Sequence, residues 1–567
     1  MSIYKSSTLA MIPTAYKDGK LYSVRPTDGS GDFTFSRGSN LAATRVASSG
    51  YIEKGRENLS LYSNTFSSWT AQSGGSVTSG QSGYDGTNDA WLLTSGAATY
   101  SRIERTISHT GVYTISVYAK AGTLGWLSFE NSGISSDESY FDLTTGTLGS
   151  LGANVVTANI ESVGSGWYRC SATLNGTSAT QRIYPAVANG DLNSAQGNIY
   201  IQDFQFEQGL VATDYIETTT TSVSAGILED MPRLDYSGGA SCPSLLLEPQ
   251  RTNKLSNSEY INSGSTWVEE NGADCTPNYA TSPEGVDNAT RVQLDNSGAF
   301  SLTRIWSNFS PDASSDTASF YAKSNTGSSF DIVIYFRDAG FGAVRGNKTI
   351  TITNEWQRFD LTADCSGAAG NVMFLIYNTT ASENWDFLMY GAQVEAGSYP
   401  TSYIPTYGAS VTRSVDSMSL TDLLGNDIVN TLTEGTLLLD LEVSGQRDGT
   451  ASYRHFRMVD NTDSSTNRIR LWEGGAGSIS TLRVDFTSGS IEESINADTQ
   501  NKVAVSWDSS GTKIYKNGVN TDSSTSQLVF ASTPKFLTSI VSNYRFNSIL
   551  VFPTALTDTE LASLTTL

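Results

Sequence analysis

Two long stretches of this chain spell out the same motifs in the same order, and that repeat limits the possible folds more than any other feature. The first opens Glu53-x-x-Arg56-x-Asn58 and reaches Trp69; the second opens Glu248-x-x-Arg251-x-Asn253 and reaches Trp267. Tyr118-Ala119-Lys120 then matches Tyr321-Ala322-Lys323, and Trp167-Tyr168-Arg169 matches Trp356-Gln357-Arg358. Both close on Gln-x-Glu-x-Gly, at Gln205, Glu207, Gly209 and at Gln393, Glu395, Gly397. A period of roughly 190 residues is too long for a solenoid unit of 20 to 50 and fits two copies of a whole domain. The repeat predicts one domain at 53–217 and a second at 248–415. Residues 1–52 precede them as a short β segment, 218–247 connect them, and 430–567 form a separate unit with a different pattern.

Within the repeats, apolar and polar residues alternate. Tyr113, Ile115, Val117 and Ala119 share one face, and so do Leu437, Leu439, Leu441 and Val443 further on. A period of two marks half-buried strands. Turn pairs such as Asp85-Gly86 and Asn517-Gly518 recur between the strands, supplying the positive φ that tight hairpins need. The chain is therefore expected to be all-β, built of tandem antiparallel sandwiches. One helix is expected: Thr557 to Glu560 is a capping-box pattern, with Leu561 and Leu564 following.

Lys and Arg number 35 against 57 Asp and Glu, a formal net charge of −22. Such a surface repels phosphate backbones and anionic membranes, so nucleic-acid binding and membrane insertion are not expected. Cys170, Cys242, Cys275 and Cys365 form no C-x-x-C pair and are read as free thiols, mostly buried. No metal or other cofactor is expected. No signal-peptide pattern is read at Met1 to Pro13.

Three phrases carry a resemblance: Phe35-Ser-Arg-Gly-Ser-Asn-Leu-Ala-Ala-Thr-Arg-Val46, Leu245-Leu-Leu-Glu-Pro-Gln-Arg-Thr-Asn253 and Tyr403-Ile-Pro-Thr406. They resemble virion structural proteins of tailed bacteriophages, in which carbohydrate-binding-module-like jelly rolls alternate with short connecting segments. The last unit resembles a concanavalin A-like, laminin G-type lectin sandwich, on Lys502-Val-Ala-Val-Ser-Trp507 and Gly511-Thr-Lys-Ile-Tyr-Lys-Asn-Gly518. These resemblances imply two jelly rolls followed by a lectin-like sandwich. They imply a location in the virion, other virion proteins as partners, a homo-oligomer such as a trimer, residues 1–52 as the virion anchor, and adhesion to host-surface or environmental glycans.

Residues for catalysis are sparse. His109 and His455 have no Ser or Cys elbow beside them. Asp440-x-Glu442 is the nearest approach to the paired carboxylates of a glycoside hydrolase, and one acid is missing. Glu207 and Glu395, and the pairs Glu53/Arg56 and Glu248/Arg251, recur with their surroundings and are read as scaffold. Each Glu/Arg pair is expected to hold a strand-opening corner. Trp69, Trp167, Trp267 and Trp356 occupy matched positions and are expected in the core. Trp91, Trp126, Trp306, Trp385 and Trp472 have no counterpart and are candidate ligand rings. In the last unit, Tyr453, His455 and Arg457 are expected on one strand face, with Arg470 and Trp472 on the next. These five are the candidate carbohydrate-binding residues. The expected function is non-enzymatic adhesion; the alternatives are a ligand-free spacer or decoration protein and a polysaccharide depolymerase.

Overall fold

The computed structural model describes residues 3–567 apart from 39–40, 194–195, 297–301, 313, 379–382, 422–431, 445–452, 461–464, 474–479, 533 and 541. Its elements are nearly all antiparallel strands, and they form tandem β-sandwiches. Among the described residues the one α-helix is Asp558–Thr565, closed by the Thr557–Glu560 capping box, with Leu561 and Leu564 packed against the sheet.

The two repeats share one strand order, to which the first adds Thr147–Leu151 and Val155–Gly164. In the second, one sheet runs Trp267–Glu270, Thr303–Phe309, Val372–Asn378, Phe330–Asp338, Val344–Ile352. The other runs Asp274–Ala280, Ala289–Asp295, Asn384–Ala396, Ser315–Ser324, Gln357–Asp364. In the first repeat the equivalents of four of these strands are fused pairwise. Arg102–Ala121 and Trp167–Ala186, of 20 residues each, bend from one layer into the other, so the sandwich is one continuous sheet.

The matched motifs lie in matched registers. Thr114 pairs with both Glu207 and Thr173, as Thr317 does with Glu395 and Thr362. Glu207 accepts from Gln205 Nε2 (2.6 Å) and the Thr213 amide (2.8 Å); Glu395 accepts from Gln393 Nε2 (2.6 Å) and the Thr401 amide (2.7 Å). Asn58 and Asn253 each bridge two backbone carbonyls across the opening corner. These buried groups answer one another's hydrogen-bonding needs, which is why the motif travels as a unit. The Glu/Arg pairs at the corners do not join each other. Glu53 binds Arg45 at 2.8 Å and Arg56 approaches Asp214 at 3.6 Å. Arg251 lies 3.7 Å from Glu395, while Glu248 turns inward.

The expected separation of residues 1–52 from a self-contained unit at 430–567 is corrected by strand pairing. Leu9–Met11 pairs with Asn543–Phe552. Phe33–Arg37 pairs with Asp416–Leu420, which pairs with Lys535–Thr538. Ser244–Leu247, in the connecting segment, also pairs with Asn543–Phe552. The last sandwich is therefore assembled from four separated stretches, with one core containing Leu9, Phe33, Leu245, Met418, Leu439, Phe456, Trp507 and Phe546. The physical reason is edge coverage: without these strands, apolar edges and faces of the C-terminal sheets would stand open to water.

A buried charge cluster locks the stretches together. Arg37 binds Asp416 at 3.1 Å, Arg233 binds Asp416 and Glu248 (2.5 Å), and Arg413 binds Glu248 at 2.8 Å, all with side chains at most 2% exposed. Burial opposes ionisation of Glu248, but Arg413, Arg233 and the hydrogen bonds from Ser402 outweigh it and hold the carboxyl well below the usual range. Burial likewise lowers Arg37, to about 10 despite Asp416. A second junction seats the opening strand of the first repeat on the second repeat. Ile52 packs on Tyr390 and Tyr403, and Lys54 Nζ reaches Glu259 (3.0 Å), Glu284 (2.8 Å) and the Tyr407 hydroxyl (2.7 Å).

Candidate functional site

The strands Tyr453–Val459 and Arg468–Glu473 lie side by side in the last sandwich, but the five residues singled out there do not make one exposed patch. The register breaks at a bulge between Arg454 and Phe456, which throws His455 to the inside. His455 is fully buried, its Nε2 3.4 Å from Glu473 and its ring 5.2 Å from Tyr544. Arg470 is 7% exposed and bound to Asp485 at 2.7 Å; Arg468 and Arg483 bind the same carboxylate. The three guanidinium groups hold Asp485 down to about 2 against its burial. Trp472 is half-buried, with Arg470 and Arg483 against its ring at 5.3 and 5.5 Å. Arg457 is half-buried opposite Arg470. The side chain of Tyr453 lies outside the described residues. This face is a stitched structural layer, because Asp485 is shared by three arginines and Arg483 also binds Glu492 at 3.0 Å.

The other groups weighed for chemistry are engaged in scaffold contacts. His109 packs edge-on against Tyr113 and Phe206. Asp440 accepts from Gln500 (2.8 Å) and Asn547 (2.9 Å). Among the described residues no cluster of three or more His, Cys, Asp or Glu side chains could hold a metal ion, and no helix is long and apolar enough to cross a membrane. Cys170, Cys275 and Cys365 are buried and free, and Cys242 is exposed and free.

Where the two repeats differ is more informative. Consider the outer face of the sheet carrying Trp267 and of its counterpart in the first repeat. There Glu104 stands opposite Arg182, and Arg182 opposite Glu130. Arg182 binds both acids, Arg102 binds Glu104 at 2.8 Å, and the face is an ion-pair ladder. At the corresponding positions of the second repeat, Trp306 stands opposite Leu375, and Leu375 opposite Tyr335. The inward neighbours stay apolar in both, Ile103, Ile183 and Phe129 against Ile305, Ile376 and Ile334. At these positions one copy carries paired charges and the other carries two half-buried rings, Trp306 and Tyr335, flanking a buried Leu375, while Tyr377 has its counterpart in Tyr184.

Tyr335 and Tyr377 stack with centroids 4.5 Å apart at 29°. Burial first, then the Tyr377 hydroxyl, pushes the Tyr335 phenol up to about 12, so Tyr335 keeps its hydroxyl proton near neutrality. They line a cleft of about 690 Å³ with Phe330, Trp385, Asp331 and Glu383. Trp385 Nε1 donates to Glu383 (3.2 Å), and Thr351 donates to Asp331 (2.7 Å), leaving each carboxylate further acceptor capacity. On the neighbouring strand Trp306 meets Phe341 edge-on at 6.1 Å, and Arg304 sits 3.5 Å over the same Phe341 ring. Aromatic faces beside hydroxyl and carboxylate acceptors suit a ligand with apolar C–H faces and hydroxyl edges.

Sequence reasoning had singled out Trp306 and Trp385 as unmatched rings. It missed Tyr335 and Tyr377, whose significance lies in the positions opposite them and not in their spacing. Of the rings expected in the core, Trp69, Trp167 and Trp267 are buried, whereas Trp356 is half-buried with its Nε1 on the Thr281 carbonyl. The loop explains the difference. Tyr84 precedes the Asp85-Gly86 turn, stacks on Tyr118 at 3.7 Å and covers Trp167, but the matching position before Glu284-Gly285 is Pro283.

No family model matches the chain, and no curated protein matches it. Among solved structures, the CBM40 of a Ruminococcus gnavus sialidase bound to α2,3-sialyllactose is similar over 24% of this chain and 83% of its own, at 15% identity and a TM-score of 0.19. The tandem CBM22 pair of Paenibacillus barcinonensis Xyn10C is similar over 64% of this chain and all of its own, at 12% identity and a TM-score of 0.20. Domain 4 of the Geobacillus stearothermophilus arabinanase AbnA, in complex with arabinotriose, covers 27% of this chain at 17% identity and a TM-score of 0.21. Nothing about what this chain binds follows from scores this low.

Proposed function

We propose that this chain is a non-enzymatic glycan-binding structural protein, in which the second repeat supplies the binding face and the remaining sandwiches hold it in place. The observation that carries the reading is the exchange, at matched positions of a duplicated fold, of an ion-pair ladder for Trp306, Leu375 and Tyr335 beside a cleft. Half-buried rings where the sister copy has paired charges leave part of their apolar faces in water, and a ligand that covers them accounts for their retention. The scaffold contacts of His109, His455, Asp440 and Asp485 support the non-enzymatic part. The sequence phrases around Phe35–Val46, Leu245–Asn253 and Tyr403–Thr406 support placement in a phage appendage, alongside other virion proteins and as a homo-oligomer. The test is a glycan array probed with the full chain and with Tyr335→Ala/Tyr377→Ala. Binding by the parent that drops about tenfold in the variant is expected, since each ring–ligand face contributes about 0.5–1.5 kcal/mol. A folded parent silent across the array would leave the spacer reading in its place.

A further inference from the structure

The charges around the cleft say which glycans it accepts, and this deepens the reading above and rests on it. Two carboxylates, Asp331 and Glu383, lie among the lining residues, and no lysine, arginine or histidine does. Of the nearby cations, Arg304 is paired with Glu270 and Arg345 with Asp338 at 2.6 Å, while Arg337 rests on the Gly342 carbonyl and keeps its charge at the rim. The net charge of −22 adds a repulsive background, and at physiological salt the screening length of about 8 Å leaves charges across a cleft within reach of each other.

We infer that the cleft takes an uncharged, hydroxyl-rich glycan segment and rejects chains bearing uronic acids, sialic acids or sulfate. Asp331 and Glu383 would each accept from sugar hydroxyls, which a carboxylate does more strongly than a neutral acceptor. An acidic sugar would bring a third negative charge beside Asp331 and Glu383 with no cation in the lining to meet it, and desolvating it against the rings would be costly. The arginine-rich layer on the last sandwich does not provide an alternative acid-binding site, because Arg468, Arg470 and Arg483 already converge on Asp485.

Affinity electrophoresis of the full chain at 150 mM salt tests this with three gels, containing xylan, galactomannan or polygalacturonate. Retardation by at least one neutral polymer and none by polygalacturonate is the expected result. In Tyr335→Ala/Tyr377→Ala the retardation should be lost. In Asp331→Asn/Glu383→Gln it should weaken several-fold while the melting temperature holds, since both groups are at the surface. Retardation by polygalacturonate that disappears in Tyr335→Ala/Tyr377→Ala overturns the charge inference and leaves glycan binding standing. Equal retardation of parent and Tyr335→Ala/Tyr377→Ala by the neutral gels overturns the choice of cleft. No retardation in any gel, together with a silent array, removes the function reading itself.

Discussion

Asp203 occupies a position that the repeat otherwise gives to glycine. Its φ is +56°, facing the bulge between Ser116 and Tyr118, and the matching residue at the bulge of the second repeat is Gly391, φ +66°. The carboxyl is buried, accepts from the Tyr84 hydroxyl at 3.1 Å, and is pushed up to about 7, first by burial and then by Asp89 and Asp85. A group whose pKa is raised on folding stabilises the fold fully below its unfolded value, about 3.9, and that stabilisation is lost as pH rises through 7. Asp203→Asn keeps the shape, tolerates the left-handed backbone and removes the charge. It is expected to raise stability at pH 8 by an amount on the order of 1–2 kcal/mol, with a higher melting temperature, and to flatten the decline between pH 4 and 8. Thermal melts at pH 5 and pH 8 check both. The matched tryptophans give a second test. Trp167→Ala should cost about 3–5 kcal/mol, as a filled aromatic site does, and Trp356→Ala about 1–2 kcal/mol, because that ring is only partly buried. Equal costs in urea titrations would show that Pro283 does not explain the difference.

At the scale of strands, alternation along the chain shows where strands run but not what they pair with. Phe33, Phe35, Leu245 and Leu247 read as strand residues, yet nothing local indicates that their partners lie hundreds of positions away. The repeat itself was legible because buried polar groups such as Glu207, Gln205 and Asn58 need the same neighbours at the same spacing in each copy. The site was half legible. Trp306 and Trp385 stood out as unmatched, while the exchange of Glu130 for Tyr335 becomes visible only when strands are set side by side. His455 was misplaced because a bulge shifts the period by one residue and leaves no mark in composition. The pairing of Leu9–Met11 makes its own prediction. Leu9→Ala should destabilise the last sandwich by about 2–4 kcal/mol, read from the unfolding transition of the buried Trp507. A segment serving only as a detached anchor would show no change.

Across the whole molecule, Arg37, Arg233, Glu248, Arg413 and Asp416 connect the N-terminal strands, the connecting segment, the opening of the second repeat and the seam beyond it. Removing one partner leaves a buried charge without compensation, so Arg233→Met is expected to cost about 3–5 kcal/mol. Because folding lowers the Glu248 pKa, its contribution is complete above its unfolded value, about 4.3, and is lost as pH falls through the folded value. In an Asp203→Asn background, which removes the opposing Asp203 contribution, stability measured by denaturant titration should decline below about pH 5, and Glu248→Gln should remove part of that acid-side slope while lowering stability at pH 7.

The pairing of Leu9–Met11 with Asn543–Phe552 also sets a timetable. A ribosome adding about 5–20 residues per second needs roughly half a minute to two minutes to pass from one strand to the other. Both repeats are complete well before then and can close on their own cores. The early strands of the last sandwich wait throughout with apolar faces unpaired. The newborn chain is thus most exposed to aggregation at its beginning, until its final strands arrive.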